Sequence, residues 1–129
     1  MHRKPPMLSG VLLVCAVLIS GCGSPPQPED SLTVSNLLAE PIYEAVVKVY
    51  GQVSLLGELF CPCFELASGG ETLNVWYDLM VTENGMVQPA ASTDGIENGD
   101  WVVVIGELQR PETPSATQQF WANEIIKQE

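Results

Sequence analysis

Residues 43–57, Tyr-Glu-Ala-Val-Val-Lys-Val-Tyr-Gly-Gln-Val-Ser-Leu-Leu-Gly, constrain the fold more than any other stretch. Val47, Val49 and Val53 alternate with Lys48, Tyr50 and Gln52. A period of two belongs to a strand, because successive side chains point to opposite faces. Gly51 falls on the apolar side, where a missing side chain lets a strand bend sharply. A long strand that bends at its middle suits a small closed sheet better than a flat open one.

The rest of the pattern agrees with an all-β class. Residues 31–41 predict a short lead-in helix, capped by Ser31, Thr33 or Ser35 and stopped at Pro41. Val34, Leu37 and Leu38 share one face of it. Residues 63–68 read as a second strand, closed by Gly69-Gly70 as a hairpin turn. Residues 72–81 read as a third, with Leu73, Val75, Tyr77 and Leu79 against Asn74, Trp76, Asp78 and Met80. Residues 82–100 read as a loop, with one helical turn near 93–97. Within it, residues 94–100 lack the ordered oxygens of a calcium loop and read as a solvated turn. A nearly continuous apolar fourth strand runs from Asp100 to Gln109, expected to be buried on both faces. The last strand spans 120–127.

The first residues bear on location. Arg3 and Lys4 precede an apolar run from Met7 to Ile19, too short to span a bilayer. The run ends in Ile19-Ser20-Gly21-Cys22. This ending resembles the lipobox of bacterial lipoproteins. The resemblance implies a signal peptide over 1–21, cleavage before Cys22 and a diacylglycerol on the Cys22 thiol, with further acylation such as palmitate. It also implies an extracytoplasmic protein held to a membrane by lipid. Residues 22–30, rich in proline, read as a flexible tether. Residues 31–129 are left as one domain.

Charge and composition exclude whole classes of function. With the signal removed, three basic residues face sixteen acidic ones, a net charge of −13. Such a surface repels phosphate backbones, so nucleic acid is not the expected partner. The single histidine, His2, leaves with the signal. Ser-His and Cys-His catalysis and histidine metal sites go with it. No phosphate loop, nucleophile elbow or dinucleotide fingerprint is present. Glu65 and Asp78, neighbours across a hairpin at most, make no defensible acid–base pair. The chain does not read as an enzyme.

Residues 34–54 and the runs at 98–108 and 120–126 resemble OB-fold domains. The shared features are a short helix, a proline, a long first strand with a central glycine, and a Gly-Asp turn into a valine-rich strand. The group they resemble is the OB superfamily of the tRNA-anticodon-binding type. The resemblance implies a five-stranded small barrel with a short N-terminal helix. It places the loop between strands one and two beside the usual binding face.

That loop carries Cys61-Pro62-Cys63. Three readings stay open. Outside the cytoplasm the pair can form a disulfide. In extended chain its Cα atoms would stand about 6–7 Å apart, so the bond would be strained and easily reduced. The pair can instead grip copper(I) or zinc, with Met80 or Met86 assisting, although zinc needs more ligands than the sequence offers. Or the cysteines simply pack, or meet a partner's. Tyr50, Phe60, Trp76 and Trp101 are the candidate binding face; the alternative is that the ring-bearing side chains cover the barrel ends or one another. The expected function is a non-enzymatic, membrane-anchored binding module for a protein, peptide or small ligand. No cofactor is expected on that reading. The alternative is a soft-metal or thiol-redox lipoprotein using Cys61 and Cys63.

Overall fold

The computed structural model describes residues 24–78, 91–113 and 118–129. The signal segment, Cys22, Met80 and Met86 lie outside the described residues. Among the described residues, six strands and one helix occur in the order β1 (Leu32–Thr33), α1 (Val34–Ala39), β2 (Val46–Ser54), β3 (Cys63–Ser68), β4 (Glu71–Trp76), β5 (Trp101–Leu108) and β6 (Gln119–Lys127). The chain is mainly β. Its sheet runs β1-β2-β3-β4-β6-β5, and β5 returns to pair with β2. Five strands therefore close into a ring, β2-β3-β4-β6-β5, with β1 added on β2.

Closure depends on the alternation of β2. Val49 and Val53 point inward, beside Phe64 and Leu66 of β3, Leu73 and Val75 of β4, Val102 and Val104 of β5, and Phe120 and Ala122 of β6. Gly51 lies on the same side. A Cβ placed there would stand 2.7 Å from Leu66 Cγ and 2.9 Å from the Ala67 carbonyl oxygen. Glycine is required here because β3 passes this close. The β3–β4 hairpin turns through Gly69 and Gly70, both at positive φ (67° and 86°). Ser68 pairs with Glu71 on either side of it. That is the two-residue, left-handed turn whose twist matches its strands.

The helix is shorter than its sequence suggests. Thr33 is the N-cap: its Oγ1 accepts from the Asn36 amide at 3.1 Å, and the Asn36 side chain accepts from the Thr33 amide. Residues 32–33 are therefore extended, and they pair in parallel with Val49 and Tyr50 as β1. Val34 and Leu37 insert into the core. Ser68 ties the helix down, accepting from the Val34 amide at 2.8 Å and donating to the Tyr50 carbonyl.

Residues 93–97 form no helical turn. The amides of Ile96 and Asp100 donate to the carbonyls of Thr93 and Glu97, giving two consecutive β-turns with Gly95 and Gly99 at positive φ. Glycine at the third position of each turn outweighs the weak helical pattern. β4 ends at Trp76 rather than continuing to 81, and residues 79–81 lie outside the described residues. β5 has its Val102, Val103 and Val104 all buried, as a strand covered on both faces requires.

Candidate functional site: the 55–62 loop and a tryptophan row

The loop joining β2 to β3 opens on Leu55, whose φ of 61° is rare for a bulky residue. Asn98, from the second turn, clamps the residues just after it. Its Oδ1 accepts from the Leu56 amide at 2.8 Å, and its Nδ2 donates to the Leu56 carbonyl and to Glu58 Oε2. Phe60 stands fully exposed farther along the loop. The loop's end is fixed by the Tyr77 amide, which donates to the Pro62 carbonyl at 3.0 Å.

Cys61 and Cys63 are bridged in the structure, with Cα atoms 5.2 Å apart. This is well inside the range a disulfide spans. The wider spacing expected from extended chain does not apply, because Cys61 and Pro62 bend before β3 begins at Cys63. Cys61 is half-buried, whereas Cys63 is 1 % exposed. No group of three or more His, Cys, Asp or Glu gathers into a metal-sized cluster among the described residues.

Cys63 belongs to the outer side of β3, since Phe64 and Leu66 take the inner side. It pairs with Trp76 of β4, and Trp76 pairs in parallel with Trp121 of β6. Directly opposed residues share a face. Cys63, Trp76 and Trp121 thus form a row across the outside of three strands, beside the 55–62 loop. Glu65 lies on the same side of β3, and Glu107 pairs with Trp121. The Trp76 indole N–H is buried and meets no acceptor among the described residues. A buried donor without a partner costs about 1–3 kcal/mol.

The four aromatic side chains expected on one face are divided. Trp76 and Phe60 lie at this site. Tyr50 and Trp101 stack on each other on the outside of β2 and β5, with ring centroids 5.1 Å apart. β3 stands between Tyr50 and Trp76 in the sheet. Glu65 pairs with Asn74, four residues before Asp78, so those two carboxylates are not the neighbours a hairpin might have made them. Sequence reasoning missed Trp121 and Asn98. Trp121 sits 45 positions after Trp76, and only their parallel pairing joins them. Asn98 reads as an ordinary turn residue until its contact with Leu56 is seen.

No protein-family model matches this chain, and no curated protein matches it either.

Proposed function

We propose that this protein is a lipid-anchored, extracytoplasmic binding module without enzymatic activity, built on an OB-like barrel. The paired outer residues Trp76 and Trp121, beside the loop that exposes Phe60, are the observation that carries the binding reading. The OB-like reading is supported by the ring order β2-β3-β4-β6-β5 and by the parallel β4–β6 pair. In OB folds the outer face of the second and third strands, with the adjoining loops, takes the ligand. Here those strands are β3 and β4. Glu65 and Glu107 make this face acidic. Two indoles bordered by carboxylates suit a neutral or cationic protein, peptide or small ligand, and disfavour nucleic acid. The signal and Cys22 support the anchor, and no helix among the described residues is long and apolar enough to cross a membrane.

Two measurements test this. The intact mass of protein extracted from membranes should equal the chain from Cys22 plus a diacylglycerol, and Cys22→Ser should abolish the addition. An unmodified chain released into the medium would remove the anchor from the reading. For the site, fluorescence titration against neutral, basic and acidic peptide libraries should find ligands whose affinity drops at least tenfold in Phe60→Ser. The same ligands should survive Cys61→Ser with Cys63→Ser.

A second reading is favoured by the bridge between Cys61 and Cys63: a thiol-redox lipoprotein, or a soft-metal one once the bridge is reduced. Native mass spectrometry without reductant or chelator separates them. A chain lighter by two hydrogens supports the redox form. A copper or zinc adduct lost in Cys61→Ser supports the metal form. A reduced, metal-free chain eliminates both.

A further inference from the structure

We propose that Tyr50, stacked on Trp101, is the docking point for an extended, proline-rich segment, and that this chain's own Pro25–Pro28 occupies it. Tyr50 points away from the core yet is 5 % exposed, and its hydroxyl donates to the Pro25 carbonyl. Pro25 and Pro28 are half-buried, whereas Pro26 and Gln27 are exposed. A polyproline II helix has three residues per turn, so residues 25 and 28 share an edge and the two between face solvent. The segment has no internal hydrogen bonds in that conformation, which leaves its carbonyls open to an outside donor such as a tyrosine hydroxyl. Proline's fixed φ lowers the entropy lost on docking.

The end of the segment is latched. The Pro28 carbonyl accepts from both the amide and the hydroxyl of Ser31, at 3.1 Å and 2.7 Å. Asp30 pairs with Lys48 at 2.6 Å. β1 comes at once after it and pairs Thr33 with Tyr50. Residues 25–33 thus form a strap that runs from the Tyr50 hydroxyl through a turn at 28–31 to β1, which pairs with β2.

The strap fixes more than itself. Three peptide links join Cys22 to Pro25, a reach of about 10 Å. On the lipid-anchored reading, on which this consequence rests, the outer face of β2 and β5 lies toward the bilayer. β4 is two strands away from each of them around the ring. Trp76, on β4, therefore faces away from the membrane, where an extracytoplasmic ligand arrives.

The docking itself is tested without lipid. In the secreted chain from residue 22 carrying Cys22→Ser, backbone order parameters for 25–31 should equal those of β2, above about 0.8. They should fall below about 0.6 in Pro25→Gly/Pro28→Gly while ring resonances stay in place. Values below that level in the unaltered strap would overturn the proposal. The peptide Ser-Pro-Pro-Gln-Pro-Glu-Asp, added to the double-glycine variant, should shift the Trp101 indole resonance saturably. An equal response to the peptide with alanine in place of proline would refute proline recognition. On vesicles, spin-labelled headgroups should broaden Trp101 more than Trp76 in the lipidated protein. The reverse order would overturn the orientation alone. A missing acyl mass would sink the anchor and leave the order parameters untouched.

Discussion

Tyr50 stands on the polar side of its strand's alternation, and a tyrosine there has a ring to bury and a hydroxyl to satisfy. Trp101 and the strap do both. Lys48, two residues earlier on the same side, binds Asp30 through a hydrogen bond and its charge, which together hold the Asp30 carboxyl below its ordinary value. A depressed carboxylate stabilises the strap above its unfolded pKa and loses that effect as pH falls through the folded one. Both groups are exposed, so the effect is small and screened by salt. In an NMR titration Asp30 should protonate at lower pH than a free aspartate, and Lys48→Met should return it to the ordinary range. Opposite Tyr50 in the alternation, Gly51 has no such latitude. Gly51→Ala pushes a methyl group into Leu66 and the Ala67 carbonyl. Overpacking of this kind costs about 1–3 kcal/mol, read as a lower urea midpoint. An unchanged midpoint would mean that β3 yields easily.

At the scale of elements, the ends decide more than the middles. Thr33 both closes β1 and caps α1, so its two neighbours on either side adopt different structures. Thr33→Ala should cost about 1 kcal/mol, in the usual range for a lost N-cap. Thermal unfolding followed by circular dichroism reads this directly. The 55–62 loop has no strand of its own and depends on Asn98. Asn98→Ala removes its contacts and should speed hydrogen exchange of the Leu56 amide at least tenfold, leaving the β2 and β5 amides protected. If ligand affinity falls in the same variant, the loop acts as a preformed part of the site. If affinity holds while exchange rises, Phe60 is recruited after binding.

For the whole molecule, one core serves all five ring strands and the helix. Phe120 is fully buried where β6 closes the ring between β4 and β5. Phe120→Ala should cost about 3–5 kcal/mol. That is a large share of a stability of about 5–15 kcal/mol. Because a closed sheet has no half that can stand alone, tryptophan fluorescence and far-ultraviolet dichroism should lose their signals at the same denaturant concentration. Separate transitions would show that the ring opens in stages.

The all-β class, the second strand at 63–68, the glycine hairpin and the near-continuous burial of β5 were legible in the residues alone. Each rests on a local rule: a period of two, positive φ at glycine, or an unbroken apolar run. The capping signal at Thr33 was also local, but the two-residue strand before it was not, because nothing in Leu32 and Thr33 names Val49 and Tyr50 as partners. The site divides in the same way. Cys61 and Cys63 announced themselves by spacing, while their approach to 5.2 Å depended on a bend that extended-chain geometry left out. Trp76 was visible as an aromatic on the polar side of a strand. Its neighbour Trp121, the clamp at Asn98 and the folded-down strap at Pro25 all arise from pairings between distant parts of the chain. The sequence by itself determined which side chains each strand offers to its two faces, since alternation is a property of single strands. Only the tertiary structure decided which faces met, because ring closure brings together residues that no local period relates.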